Sequence, residues 1–510
     1  MKVPEPFFGV LPRFVLSLAI TGGLVLIASA HQAYATDNPK QESKTTAGDW
    51  PRFRGPNGTG ISHAKTVPVK WDTDDYNWVI DLPGHGHGSP VIIGNRLYVV
   101  CGRKRTAERI VVCVDVDSGK VLWRRHFSSK KHRLHGSNSY GSSTPAADAD
   151  GVVVTWADPE KLTLLALDRA GKTVWERNFG PHKAINGAGT SPVIVGDLVV
   201  LMNVQMDPKF MIRIGVLPKN YPDKTAHESF LVAVDRKSGK TAWQVKRKTY
   251  LAGYATPCIR KLENGRSELV FLDSYYGLTG VDIRTGKVNW QTSRLLPSRT
   301  VASPVMAGGL VFGSHGRGVS GDVIYAVQAG GENQQPRVKY EIKKAVPLTP
   351  TPIVMDELAY LWGDSGVVTC IVATTGKVVW RERVGGSYYG SPVWVDGSLY
   401  CVDRRGMVAV IAAGKTYRLI AKVPLGEPSF ATPAVAGGVM YFRTETRLLS
   451  LGGKRQSPEH FPLQGTSQPC GTRPTITATW FWAVAAERFK TVEFAKEANA
   501  MSRREAIRDR

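Results

Sequence analysis

Short runs of β-branched and other apolar residues alternate with polar turns along most of the chain, and one kind of turn recurs. In each copy an apolar run leads into a polar turn, a Gly-Lys pair and a Trp four residues after the Gly. Gly takes the left-handed conformation that a tight turn needs, so each copy predicts a β-hairpin. The copies are residues 115–123 (DVDSGKVLW), 168–175 (DRAGKTVW), 235–243 (DRKSGKTAW), 282–290 (DIRTGKVNW) and 373–380 (ATTGKVVW).

The Trp of each copy falls on a fixed face of its strand, and we expect it to dock into the neighbouring repeat. Truncating one such buried indole would cost about 3 to 5 kcal/mol. Two later repeats carry Tyr340 and Tyr417 near the place where Trp is expected. The predicted docking residues are Trp123, Trp175, Trp243, Trp290 and Trp380.

A second phrase, Ser or Thr followed by Pro, opens another strand pair ahead of most of these turns. The eight prolines are 40 to 65 residues apart, the size of a four-stranded propeller blade with its loops. The sequence therefore predicts an all-β fold, an eight-bladed β-propeller of four-stranded antiparallel blades. The openings are Ser89-Pro90, Thr144-Pro145, Ser191-Pro192, Thr256-Pro257, Ser303-Pro304, Thr351-Pro352, Ser391-Pro392 and Thr432-Pro433.

The last opening supplies only three strands before the repeats stop at Gly453. A matching outer strand, residues 77–84 (NWVIDLPG), stands unpaired before the first blade. We expect it to complete the eighth blade and so close the ring, which removes an open sheet edge. Blade three carries an insertion over residues 203–228, and a loop of this length is often functional.

Three segments do not belong to the repeats. Residues 1–35 read as a cleavable secretory signal, with a basic start, an apolar run and Ala33-Tyr34-Ala35 as the cleavage signal; an uncleaved membrane anchor is the alternative. Residues 36–48 are a linker, residues 49–453 the propeller and residues 454–510 an extension that is partly helical or disordered. We therefore expect an exported protein of the periplasm or extracytoplasmic space, with membrane-surface contact open to either terminal segment.

The formal net charge of +23 favours anionic partners, which outside the cytoplasm are polysaccharides, lipid head groups and cell-wall polymers. A solvated basic surface without a specific partner is the simpler reading. Nucleic acid is not expected, since no motif for it is present. Gly-Lys-Thr occurs three times but lacks the leading Gly of a phosphate-binding loop. No CxxC or CxxCH occurs among the six cysteines.

The repeated Asp-x-x-Thr/Ser-Gly-Lys-x-x-Trp phrase resembles the tryptophan-docking motif of the pyrroloquinoline quinone (PQQ) repeat family, over residues 50–453. The opening residues 49–62 (DWPRFRGPNGTGIS) resemble the start of exported PQQ-like proteins. The family includes quinoprotein dehydrogenases and non-catalytic outer-membrane assembly lipoproteins, so the resemblance leaves both activities open. Those dehydrogenases hold calcium and a vicinal disulfide, and this chain has no Cys-Cys pair.

In a four-stranded blade, the loop before the first strand and the loop after the second lie on the same face, near the central channel. On this top face, aromatic, imidazole and carboxylate side chains would suit a polar ligand with a flat or sugar-like surface. The candidate ligand-binding residues are His85, His87, His135, Tyr140, Trp156, Tyr254, Asp273, Arg299, His315, Asp364, Tyr388, Tyr389 and Asp403, with Asn138, Asn186, Arg404 and Phe430 on the same face.

His85 and His87 stand two residues apart and could face the same way to ligate a metal, or they could bond to loop carbonyls. The three aspartates of the top face read equally as turn-stabilising residues. The sequence assigns no catalytic residue and no metal ligand.

The sequence favours a monomeric propeller that serves as a non-catalytic binding or scaffold module, with a protein or an anionic polymer as its partner. The alternatives are a PQQ-dependent quinoprotein oxidoreductase, which would need PQQ with calcium, and a module that binds glycan or cell-wall polymer.

Overall fold

The computed structural model describes residues 48–453 apart from 216, 223–226, 319 and 332–333. The predicted signal peptide, residues 36–47 of the predicted linker and the predicted C-terminal extension lie outside the described residues. Within the described part of the chain, no helix combines the length and apolarity that a membrane span requires.

The eight-bladed propeller predicted from the repeats is confirmed, because eight four-stranded antiparallel blades follow one another along the chain, and a short fifth strand is added in parallel to one of them. Each blade runs from an inner strand at the central channel to an outer strand at the rim. The strands are Val91–Ile93, Arg96–Gly102, Arg109–Asp115 and Val121–Phe127 in blade 1; Ala146–Asp148, Gly151–Ala157, Leu162–Asp168 and Thr173–Asn178 in blade 2; Val193–Val195, Leu198–Asn203, Ser229–Asp235 and Thr241–Arg247 in blade 3; Cys258–Lys261, Ser267–Asp273, Gly277–Asp282 and Val288–Gln291 in blade 4; Val305–Ala307, Leu310–Arg317, Ser320–Gln328 and Arg337–Ile342 in blade 5; Ile353–Met355, Leu358–Trp362, Val367–Val372 and Val378–Arg383 in blade 6; Val393–Val395, Ser398–Val402, Met407–Ala412 and Leu419–Pro424 in blade 7; and Ala434–Ala436, Val439–Arg443, Arg447–Gly452 and Tyr76–Asp81 in blade 8.

The ring closes through the N-terminal strand, as the count of strands predicts. Tyr76–Asp81 pairs antiparallel with Arg447–Gly452 and becomes the outer strand of blade 8. The core lies between neighbouring sheets, where apolar side chains of adjacent blades interdigitate; Val111 of blade 1, for example, belongs to one buried cluster with Leu165 of blade 2. Five cysteines of the described residues are buried without a disulfide partner.

The docking tryptophans join each blade to the next one along the chain. The indole nitrogen of Trp243 donates to the carbonyl of Ile283, 2.8 Å away in the turn of blade 4. Trp290 differs, because its indole donates to Glu268 within its own blade. Trp78 of the closing strand makes the same bond as the others, which the sequence analysis did not anticipate. The equivalent bonds run from Trp78 to Val116, Trp123 to Arg169, Trp175 to Arg236, Tyr340 to Ala373 and Trp380 to Gly414.

The Ser/Thr-Pro openings form a ring of hydroxyls around the channel, which we call the hydroxyl ring. The backbone N–H of Ser89, for example, donates to the hydroxyl of Thr144 in the next blade, 2.9 Å away. Such bonds link the blades at their inner ends and explain why a hydroxyl precedes each Pro. The other links run from Thr144 to Ser191, Thr256 to Ser303, Ser303 to Thr351, Thr351 to Ser391, Ser391 to Thr432 and Thr432 to Ser89, at 2.9 to 3.1 Å.

Residues 48–62 enter the central channel and contact the inner strands of several blades; we call them the plug. The backbone of Trp50 exchanges hydrogen bonds with Ile92 of blade 1, and the short strand Ile61–Ser62 pairs parallel with Val393–Val395 of blade 7. The guanidinium of Arg54, fully buried, donates to the carbonyls of Thr351 and Pro352 at 2.7 and 2.9 Å. The sequence analysis noted this segment only as a resemblance and missed its place in the fold.

Outside the sheets, the described residues form three short helices. Two are 3₁₀ helices, Pro56–Gly58 in the plug and Thr73–Asp75 before the closing strand. The α-helix Pro208–Arg213 lies in the insertion of blade 3, and Met211 packs there in a small apolar cluster with Met206 and Leu217.

Candidate functional site

A recess of about 470 Å³ opens on the top face above the hydroxyl ring; we call it the funnel. Phe53 of the plug belongs to its lining, so the plug closes the channel at the base of the funnel. Because the plug blocks the channel, the funnel is a blind pocket rather than a pore. Its walls come from the loops before the inner strands and include His87, His135, Ser137, Asn138, Asn186, Tyr254, Arg299, Thr349, Tyr389 and Phe430.

Five of the candidate residues line the funnel: His87, His135, Tyr254, Arg299 and Tyr389. They come from five different loops, each ahead of an inner strand, which is why residues far apart in sequence meet here. The sequence analysis also placed Asn138, Asn186 and Phe430 on this face, and they line the funnel too. It missed Phe53, because nothing in the sequence shows that the plug enters the channel.

The three candidate carboxylates stand below the lining, where they satisfy backbone and side-chain donors. Asp273 pairs with buried Arg247 at 2.6 Å. Asp364 accepts the backbone N–H of Leu348 at 2.7 Å, and Asp403 accepts that of Met407 at 2.9 Å. These groups hold the top-face loops in shape and do not face a ligand.

The remaining candidates also lie outside the lining. Tyr388 is buried against Trp362, and Trp156 packs on Phe127, with ring centroids 5.3 Å apart in both pairs. Tyr140 supports the guanidinium of Arg109, which lies 4.6 Å from the centre of its ring. The other two are histidines: His85 lies 3.7 Å from Glu445, and His315 is buried 3.9 Å from Asp322.

His87 presents a neutral imidazole to the funnel. Its ring stacks on Phe430, with centroids 4.2 Å apart and planes 23° from parallel. Burial, together with the positive charge of Arg443, lowers the pKa of His87 to about 3. Its neighbour in the motif, His85, turns instead toward Glu445. Among the described residues, no group of three or more His, Cys, Asp or Glu side chains is placed to hold a metal ion.

The funnel has a positive character. Its lining holds no Asp or Glu among the described residues, and the guanidinium of Arg299 has no hydrogen bond or ion pair with any of them. Beneath it, buried Arg52 and Arg54 of the plug bond to backbone carbonyls. Desolvation lowers the pKa of Arg52 to about 10 and that of Arg54 to about 9, so both stay charged at neutral pH.

The rim carries a cation stacked on aromatic rings. The guanidinium carbon of Arg404 lies 4.7 Å from the ring centre of Tyr389 and 5.4 Å from that of Phe430. This arrangement holds both rings in place at the mouth. Deeper inside, burial raises the pKa of Tyr254 to about 12, so this phenol remains a neutral donor.

Comparison with known proteins supports the fold. A family model described as "Outer membrane protein assembly factor BamB" (PQQ_2) matches residues 55–211, 223–351, 320–419 and 364–453. BamB from Moraxella catarrhalis is similar in structure, with a TM-score of 0.51 and 13% identity over 73% of this chain and 98% of that one. The quinohemoprotein alcohol dehydrogenase from Comamonas testosteroni has a TM-score of 0.57 and 12% identity over 85% of this chain and 83% of that one.

No curated protein matches the chain in sequence. At 12 and 13% identity the two solved structures establish the shared propeller and nothing finer. The four family matches together span most of the described propeller. The chain therefore belongs to the PQQ_2 family of β-propeller proteins.

Proposed function

We propose that this chain is an exported, non-catalytic binding propeller and that the funnel is its ligand site. The observation that carries the proposal is a blind, positively charged recess that is lined by aromatic, hydroxyl and amide side chains and holds an unpaired arginine, Arg299. A pocket of this size that places aromatic faces beside a few convergent polar groups is typical of ligand recognition.

His87, the more buried of the two histidines that line the funnel, is poorly suited to act as a general base. A general base works best when its pKa lies near the operating pH, and that of His87 is about 3. The hydroxyls of the ring accept backbone N–H groups, as Thr144 does from Ser89, and the bonds described for them include no His, Asp or Glu side chain that would activate them as nucleophiles. The recess offers hydrogen bonds and a charge without an activated nucleophile.

A PQQ-dependent oxidoreductase is the alternative that the shared fold raises. Calcium in proteins takes several oxygen ligands, and carboxylates are prominent among them. The described lining offers hydroxyl and amide oxygens without a carboxylate, and Asp273, Asp364 and Asp403 are committed to other partners. The donor set therefore does not fit a calcium–PQQ centre, and we derive no redox step.

The family and the sequence support a place outside the cytoplasm. The family model is described as an outer membrane protein assembly factor. Residues 1–35 carry the features of a secretory signal. We take both as support for an exported binding module whose rigid ring presents the funnel.

The test is a titration of the purified chain with galacturonate, glucuronate, glucose and PQQ with calcium, in which calorimetry measures binding. We expect an acidic sugar to bind and Arg299→Ala to abolish that binding, because the variant removes the unpaired cation from the lining. Arg337→Ala, which removes an exposed arginine from the outer strand of blade 5, is the matched control.

A dye-linked oxidation assay runs in parallel. Turnover that depends on PQQ and calcium would overturn the non-catalytic proposal. Failure of every probe to bind the folded protein, or equal binding by the Arg299→Ala variant, would show that the funnel is not the site.

A further inference from the structure

A strongly basic surface lies beside the funnel on the top loops of blade 1. It combines the loop after the second strand with the segment that follows the outer strand. We call it the basic ramp and define it by five exposed residues: Arg103, Lys104, Arg105, Lys131 and Arg133.

Contacts tie both parts of the ramp to neighbouring strands of blade 1. Glu108 of the first loop lies 3.2 Å from His126, which precedes the second loop. The guanidinium of Arg109 lies over the ring of Tyr140, whose hydroxyl bonds to the backbone of His132. Both loops are therefore anchored on the same pair of adjacent strands, Arg109–Asp115 and Val121–Phe127.

Four of the five ramp cations have no ion-pair partner among the described residues. Glu108 is occupied by Arg103 at 2.9 Å, and Glu160 pairs with Lys130 outside the ramp. Within the described residues, no carboxylate lies within ion-pair distance of the other four ramp cations, which are Lys104, Arg105, Lys131 and Arg133. Exposed cations that lack an ion-pair partner attract a polyanion over about a Debye length, which is about 8 Å at physiological salt.

The ramp leads into the funnel. The segment that carries Lys131 and Arg133 continues directly into His135, Ser137 and Asn138 of the funnel wall. The charge of Lys104 contributes to lowering the pKa of His87, so this ammonium stands near the funnel mouth. A ligand that crosses the ramp therefore reaches the lining without leaving the protein surface.

We propose that the basic ramp binds the chain of an acidic polysaccharide, one sugar of which occupies the funnel while neighbouring carboxylates lie along the ramp. This inference rests on the proposed function and names its ligand class. The aromatic and hydroxyl lining suits a sugar ring, and the ramp supplies the charge for the units outside. A bilayer fits poorly, because the ramp ends in a concave recess and a membrane surface cannot enter it.

The test measures binding of polygalacturonate to the purified chain at several salt concentrations. The variant replaces Lys104, Arg105, Lys131 and Arg133 by Ala. Its matched control replaces Lys237, Lys240, Arg337 and Lys339, four exposed cations of blades 3 and 5, and lowers the net charge equally. We expect the ramp variant to bind roughly ten-fold more weakly or worse with a shallower salt dependence, and the control to stay within about two-fold of the original protein.

Binding of monomeric galacturonate distinguishes a failure of this inference from a failure of the proposed function. If the monomer still binds the ramp variant as before while polymer binding falls, the ramp is an extended subsite. Equal weakening by the ramp and control variants would overturn the inference, because net charge alone would then explain binding. Binding to phosphatidylglycerol vesicles but not to polygalacturonate would overturn it in favour of a membrane surface. If the unmodified chain binds neither the monomer nor the polymer, the proposal that the funnel is a ligand site is refuted as well.

Discussion

The contact between Trp243 and the turn of blade 4 provides a quantitative test of how the blades are joined. A Cβ added at Gly286 would stand 2.8 Å from Cδ2 of the Trp243 indole, and Gly286 has a φ of +73°. We therefore consider three variants, Trp243→Ala, Gly286→Ala and the double substitution. The indole is 7% exposed, so its removal leaves a cavity between blades 3 and 4.

The expected costs follow from this geometry. Trp243→Ala should lower the free energy of unfolding by about 3 to 5 kcal/mol through lost burial and the cavity. Gly286→Ala combines left-handed strain of about 1 to 2 kcal/mol with overpacking of about 1 to 3 kcal/mol. In the double variant the indole is gone and the overpacking disappears. The two changes should therefore couple by about 1 to 3 kcal/mol, with the double variant more stable than the sum of the single costs predicts.

Urea unfolding followed by far-UV circular dichroism measures these differences, with equal m values as the condition for comparing midpoints. The control is Gly180→Ala, because Gly180 has a φ of +80° with nothing within 4 Å of an added Cβ. Gly180→Ala should lower the free energy of unfolding by the left-handed strain alone, and its cost should not couple to that of Trp243→Ala. A coupling below about 0.5 kcal/mol between Trp243 and Gly286 would refute the docking contact as a major link between blades.

Three further predictions concern the channel. Arg54→Met removes the donor to two buried carbonyls and should cost about 2 to 4 kcal/mol in urea, with Arg54→Lys intermediate; equal stability would argue against a structural plug. Ser391→Ala leaves the N–H of Thr351 without its acceptor and should cost about 1 to 3 kcal/mol, while Ser391→Thr keeps the bond and should cost less. His87 has a pKa of about 3 when folded against 6.5 as its ordinary value, so the unfolded chain binds more protons and the group loses stability as the pH falls from 6.5 toward 3. His87→Gln should reduce this acid-induced loss by about 2 kcal/mol after allowance for partial exposure.

The blades could be predicted because their signals are local and repeated. The Gly of each tight turn and the Trp four residues later are needed within a single hairpin, so both appear at fixed spacing. The closing strand could be placed by counting, since three strands without a fourth leave an edge, and Tyr76–Asp81 fills that position. The hydroxyl of each Ser/Thr-Pro opening carried a further signal that the prediction did not use, namely a bond to the next blade.

The funnel could be predicted only in part, because its lining depends on which way each loop residue turns. Tyr388 and Tyr389 are adjacent, yet Tyr389 lines the funnel and Tyr388 packs on Trp362. His85 and His87 were expected to share a direction if they ligated a metal, but only His87 lines the recess. Asp403 illustrates a third difficulty, because a carboxylate beside a channel is also the natural acceptor for the N–H groups of its own turn.

The plug explains why the funnel opens at only one face of the propeller ring. Inner strands present free edges to the channel, and the plug satisfies part of these edges through Trp50 and Ile61–Ser62. The plug arginines donate to buried backbone carbonyls. These charge-assisted hydrogen bonds offset the free-energy cost of removing the guanidinium groups from water. The same segment places Phe53 at the base of the funnel and two positive charges beneath it. Closing the channel and adding positive charge beneath the funnel are therefore consequences of one segment, and an anionic ligand of the kind we propose would meet that charge at the base of the recess.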